Sequence, residues 1–193
     1  MNGASGMTLT APDGQRFRFD AGTLCLEFLL AGAIEPGEPL HERLHEPGDL
    51  VAWIGRSRLE VEGDVVAGQG DLMAAGRLRG AVQHLAERAA RGEAHDAVDL
   101  WVLNEAAAAP PPVPVIGDTL ERGWSYPVTA TQFLSAVARD AIELFSGPLV
   151  KRVRMCAGER CHLLFLDTSR PGTRRWCSMN RCGNRQKLRT RRS

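Results

Sequence analysis

The sequence predicts an α+β chain in two parts, a mainly helical body with a small antiparallel β element over residues 1–148 and a compact cysteine-rich module over residues 149–193. Three observations predict it. Apolar residues recur at three- and four-residue spacing in three long segments of the body, the signature of amphipathic helices. Four of the five cysteines crowd into the last 38 residues. Charge divides at the same place: residues 1–150 carry 11 Arg and no Lys against 21 acidic residues, a formal −10, and residues 151–193 carry 13 basic residues against Glu159 and Asp167, a formal +11. The net +1 of the 193-residue chain is therefore a cancellation. With 44% hydrophobic residues the chain can fill a core, which excludes a disordered or collagen-like class.

Taken in order, Gly3, Ser5 and Gly6 form a loose leader, and Arg16-Phe17-Arg18-Phe19 alternates as a strand does. The run Leu24-Cys25-Leu26-Glu27-Phe28-Leu29-Leu30 fits a buried strand or a short helix equally. Prolines and charges from Glu35 to Gly48 predict a loop, and Asp49 is placed to cap a short helix with Leu50, Val51, Trp53 and Ile54. The clearest helix spans residues 71–91, where Leu72, Ala75, Leu78, Val82, Leu85, Ala86 and Ala89 share a face and Gly92 supplies the stop. A second helix is predicted for residues 96–108, ended by three prolines, and a small hairpin for 113–126. A third helix covers 129–145 with Phe133, Val137, Ala141, Leu144 and Phe145 inward; Ser146-Gly147-Pro148 ends it and is the expected domain boundary.

The first ten residues lack a basic export region, and the apolar run from Leu24 to Ile34 contains Glu27 and is too short to span a bilayer. A cytoplasmic chain with no membrane partner is expected, and there clustered thiols are read as metal ligands before disulfides. Cys156, Cys161, Cys177 and Cys182 form a C-x4-C-x15-C-x4-C pattern, two tight pairs able to offer four sulfurs to one tetrahedral Zn²⁺. Four thiolates leave no open position, so the expected cofactor is one structural zinc ion. His162 is expected to face away from it, and Leu163, Phe165 and Trp176 to form the module's small core. A 43-residue segment has too little apolar interior to fold alone, so the metal is expected to hold it together.

The residues after Cys182 have helical character, and Arg181, Arg185, Arg189 and Arg192 fall on one stripe with Lys187 and Arg191 beside it. With Arg174 and Arg175 these are the candidate nucleic-acid contacts, duplex DNA being the expected partner because guanidinium forks suit phosphates and groove edges. Internal neutralisation by the acidic body is the competing reading of the same charge.

Enzymatic motifs fail in context. His41-Glu42-Arg43-Leu44-His45 matches H-E-x-x-H formally, but Pro39 and Pro47-Gly48 leave too little helix to align two ligands. Gly68-Gln69-Gly70 is followed by Met73 where a dinucleotide loop needs glycine, and no phosphate loop or G-x-S-x-G elbow occurs. Cys25 reads as a buried small hydrophobe, and no enzyme is expected.

The run Asp167-x-Ser169, Arg174-Arg175-Trp176-Cys177-Ser178-Met179 and Cys182-Gly183-Asn184-Arg185-x-Lys187, followed by Arg189 and Arg191, closely resembles the bacterial CGNR zinc finger. Upstream, Leu24-Cys25-Leu26-Glu27-Phe28, the stretch from Pro47 to Trp53, Arg77-Leu78-Arg79 and Ala138-Arg139-Asp140-Ala141 are similar to the ABATE domain that precedes this finger. The resemblance implies a stress-linked bacterial transcription regulator. Its treble-clef-like finger would contact DNA, and its body would sense a small-molecule effector or form a homodimer. The alternative is an RNA-binding or protein-interaction zinc module.

Overall fold

The computed structural model describes residues 6–11, 13–33, 41–159 and 161–190. Two short strands, β1 (Met7–Thr10) and β2 (Arg16–Phe19), pair antiparallel with Met7 opposite Phe19. β2 turns Phe17 and Phe19 inward and Arg16 and Arg18 outward, as its alternation predicts. The segment that reads as either strand or helix is helical: α1 (Leu24–Phe28) continues into a 3₁₀ turn, Leu29–Ala31. Thr23 Oγ1 accepts the Leu26 N–H at 3.4 Å, and Asp140 Oδ2 accepts the Cys25 N–H at 2.8 Å. β3 (Gly32–Ala33) and β4 (His41–Glu42) then pair antiparallel.

In α2 (Pro47–Ile54) proline takes the first helical position and Asp49 the third. Asp49 therefore acts from inside the helix, its Oδ2 accepting the N–H groups of His45 at 2.8 Å and Glu46 at 3.1 Å, and not as the first capping residue that the sequence suggests. β5 (Val65–Val66) leads into α3 (Gln69–Arg91), which ends at Gly92 with φ +70°, a left-handed stop that favours glycine. Asp96 caps α4 (Ala97–Ala107), its carboxylate accepting the Val98 N–H at 3.1 Å. The predicted hairpin is β6 (Pro114–Ile116) and β7 (Arg122–Trp124). β8 (Val128–Thr129) pairs in parallel with β5, and Thr129 caps α5 (Ala130–Ser146).

The core is α3, α4 and α5 packed on one another, with α1 against α3 and α5. Phe28 anchors it, stacked on Trp53 with ring centroids 6.4 Å apart and edge-on to Phe133 at 5.9 Å. Polar residues of the upstream motifs serve this scaffold. Arg139 donates to the Ala107 and Ala109 carbonyls at the end of α4 (2.8 and 3.3 Å), and Arg79 forms a two-pronged ion pair with Glu42. Cys25 is fully buried, and burial pushes its thiol well above the ordinary range, so it stays protonated. Among the described residues no helix is long and apolar enough to cross a membrane.

After a 3₁₀ turn at Pro148–Arg152, β9 (Val153–Met155) and β10 (Leu164–Leu166) form an antiparallel ribbon, and a π-helical turn, Met179–Gly183, leads into α6 (Asn184–Thr190). The apolar residues of this segment belong to the body's core and not to a small core of their own. β9 packs on α3, and Val153, Leu163, Leu164, Phe165 and Leu166 join one continuous buried cluster. The Leu166 N–H donates to the Ala21 carbonyl at 2.9 Å. At that junction Gly22 has φ +91°, and a Cβ there would lie 2.8 Å from the Leu166 Cβ.

Candidate metal centre

Each cysteine pair is brought inward by a turn. Cys156 follows β9, and the Cys161 N–H returns to the Gly158 carbonyl at 2.9 Å. Cys177 closes the long excursion after β10, and Cys182 lies in the π-helical turn. All four are buried, and their Sγ atoms lie within 4.8 Å of one another. Cys161 and Cys177 are 3.7 Å apart at sulfur, and Cys177 and Cys182 are 3.5 Å apart. Zn–S bonds of about 2.3 Å in a tetrahedron require S···S edges of about 3.8 Å, whereas a disulfide needs about 2.05 Å. The donor set and its spacing fit one structural zinc ion with no open coordination position.

The thiols themselves call for a cation. Hydrogen bonds from Cys161 and Cys177 push Cys156 down to about 2, and the same bonds, with burial, push Cys161 up to about 12 and raise Cys177 as well. Cys156, Cys161, Cys177 and Cys182 would hold a zinc ion as thiolates in place of their protons, and the Cys177 N–H, 3.2 Å from Cys156 Sγ, supports a negative sulfur there.

Two polar residues organise the excursion between the pairs. Asp167, fully buried, accepts the Ser169 N–H (2.9 Å) and hydroxyl (2.5 Å) on Oδ1 and the Arg174 N–H (2.8 Å) on Oδ2. Burial raises its carboxyl, but the bonds from Ser169 and Arg174 outweigh that and hold it below its ordinary value. Arg174 donates to the carbonyls of Trp176 at 3.1 Å, Cys177 at 2.7 Å and Asp20 at 3.3 Å, and its guanidinium lies 4.1 Å from the centre of the Phe165 ring. Asp20 in turn pairs with Arg58 at 2.8 Å, and Arg58 with buried Glu27 at 2.9 Å. One chain of contacts thus runs from the metal centre into the body.

Gly158 is the close approach that sequence reading overlooked. A Cβ at this position would stand 2.8 Å from Cys182 Sγ. Gly158→Ala is expected to weaken zinc binding about tenfold or more, in line with other disturbances of a metal's surroundings. Competition with a chromogenic chelator checks this; unchanged affinity would show that the sulfur can shift freely.

The eight basic positions singled out for nucleic acid divide. Arg174 is committed internally as described. Arg181 is 4% exposed, its guanidinium 4.7 Å from the centre of the Phe17 ring, because the π-helical turn that buries Cys182 also draws in its neighbour. Arg185 and Arg189 are more than half exposed and pair with Asp13 and Glu159. Lys187 is exposed, and Arg175 lies 5.3 Å from the half-buried Trp176 ring. Arg191 and Arg192 lie outside the described residues. His162 is exposed and outside the sulfur cluster. The H-E-x-x-H segment is a two-residue strand followed by irregular chain, with Glu42 held by Arg79, so no helical metal site forms there; the His41 side chain lies outside the description.

The fold and the site together define a zinc-finger protein, a helical body with a four-cysteine finger docked along it. The family model for ABATE, described as "Putative stress-induced transcription regulator", matches residues 22–148, and that for the CGNR zinc finger matches residues 152–193. The chain belongs to the ABATE family and carries a CGNR zinc finger at its C-terminal end. Both are regulator and zinc-finger families, not enzyme families. The comparison with curated proteins found no match.

Proposed function

We propose that the chain is a zinc-dependent, duplex-DNA-binding transcription regulator acting in the cytoplasm. The finger, residues 149–193, meets the nucleic acid, and the body, residues 1–148, senses an effector or pairs with a second copy. The observation that carries this reading is the segregation of charge. The finger holds a formal +11, lowered to +9 by the two negative charges of a Zn(Cys)₄ centre, and exposes Arg175, Arg185, Lys187 and Arg189 on and beside α6. Arg191 and Arg192 extend the same basic run in sequence. Arg174 contributes by shaping the finger. The exposed Val98 and Trp101 of α4 give the body apolar surface for a partner copy.

Four to six phosphate contacts should make log affinity fall against log salt with a slope of about −4 to −5. Fluorescence anisotropy with zinc-loaded protein at several salt concentrations measures it, and a flat response would remove the DNA reading. The groove between Trp176, Lys187 and Gln186 favours a second reading, single-stranded RNA stacked on the indole. Tighter binding of single-stranded RNA than of duplex DNA at matched salt would select it.

A further inference from the structure

Among the described residues Arg181 is a buried cation whose Nε–H has no hydrogen-bond acceptor. The other charged side chains that the fold buries have polar partners: Glu27 has Arg58, Arg79 has Glu42, Asp99 has His84, and Asp167 has the Ser169 and Arg174 N–H groups. Among the described residues Arg181 has the face of Phe17, and its Nε is sealed from solvent with no hydrogen-bond partner. A buried guanidinium N–H left without an acceptor costs free energy even beside the negative sulfur cluster, and an oxygen supplied by a ligand would relieve that cost.

Arg181 also lines a cleft of about 430 Å³ between the Gly158–Glu159 turn and one side of α6, and Arg185 and Arg189 line the same cleft at successive four-residue steps. Carboxylates of this chain already hold the outer two. Glu159, at the cleft, pairs with Arg189; Asp13, from the turn between β1 and β2, pairs with Arg185. Gln15 from the same turn donates to the Asn180 carbonyl at 3.3 Å, so the body's first hairpin lies along the finger. Three guanidinium groups around one cleft match the several acceptor oxygens of a phosphate better than they match single carboxylates.

We propose that this cleft binds a phosphate group, which pairs with Arg181 and displaces Glu159 from Arg189 and Asp13 from Arg185. A nucleic-acid backbone and a free phosphomonoester offer the same chemistry; the first source rests on the function proposed above, and the second does not.

The test is side-chain NMR of arginine-¹⁵N-labelled, zinc-loaded full-length protein titrated with inorganic phosphate, with chloride at matched ionic strength as the control. A saturable shift of the Arg181 Nε–H signal is expected with phosphate and not with chloride. Removing the competing carboxylates, Glu159→Gln and Asp13→Asn, should each tighten phosphate binding about two- to fivefold, the range for exposed ion pairs. The equal charge change Asp118→Asn, in the β6–β7 turn and outside the cleft's lining, should not. Arg181→Met should abolish saturation while one zinc per chain is retained. If that variant loses its zinc, the two carboxylate variants and the control decide. A shift that chloride reproduces, or carboxylate variants no tighter than Asp118→Asn, overturns the proposal. Duplex DNA that displaces phosphate identifies the backbone as the source; saturable phosphate binding with no DNA binding upholds the cleft and overturns only the nucleic-acid reading.

Discussion

Chelation of the zinc, or Cys177→Ser, is expected to unfold the finger and loosen the body while leaving most of the helix intact. Zinc contributes on the order of 10–16 kcal/mol to small four-ligand domains, comparable to the whole stability of an ordinary domain. Four buried sulfurs cannot share that site as thiolates without a cation, and Cys177 touches the other three through the 3.7 and 3.5 Å sulfur contacts and its own N–H. The loss spreads because the β9–β10 ribbon is part of the common core, packed on α3 and joined to Ala21. α3, α4 and α5 hold most of the helical residues and bury one another around Phe28 and Phe133, so they persist. The expected signature is a far-ultraviolet circular dichroism spectrum largely retained, a changed Trp176 environment, new protease cleavage between residues 156 and 190, and a lower melting temperature. Acid should act in the same direction, because protons compete with zinc for the thiolates as pH falls. A chelated protein with unchanged melting and protease resistance would contradict this account.

Arg174→Ala is expected to cost about 3 kcal/mol and to accelerate zinc loss, whereas the exposed Lys187→Ala should change stability by no more than about 0.5 kcal/mol. Arg174 joins the Trp176, Cys177 and Asp20 carbonyls and covers Phe165, so alanine leaves carbonyls at the metal centre without donors and opens the finger–body junction. Burial lowers the Arg174 guanidinium from its ordinary value, opposed by the attraction of Asp20, Cys177, Asp167 and Cys156, so a cation stands beside the sulfur cluster. Arg174→Lys should recover little, because an ammonium cannot span three carbonyls with a planar fork. Thermal melts and zinc-release kinetics of the three variants check this. Had Arg174 served nucleic acid alone, the alanine variant would melt with the parent protein and lose only affinity.

These two residues show what a sequence can disclose. The cysteine spacing read correctly because each turn is local and four thiols have few other uses in this pattern. α3 read correctly because its period is long and Gly92 marks its end; Asp96 and Thr129 sit where side-chain oxygens cap helices. β1 was missed because Met7–Thr10 becomes a strand through pairing with Arg16–Phe19, which the segment itself does not encode. Asp49 was displaced inward by Pro47, whose fixed φ claims the first helical position. Arg181, Arg185 and Arg189 of the expected stripe line one cleft, but Arg181 is buried. Cys182 must reach the metal, so the turn carrying Arg181 is pulled under the hairpin, and helical spacing cannot report that. The finger's dependence on the body was equally hidden, since Leu164-Phe165-Leu166 has no periodicity that says which core it joins.

X-ray absorption at the zinc edge of the purified full-length protein, with metal analysis, tests the central claim most directly. One zinc per chain with four sulfur neighbours at about 2.3 Å and no light ligand is predicted. A nitrogen or oxygen atom in the zinc's immediate shell, or a folded protein without stoichiometric zinc, would contradict it.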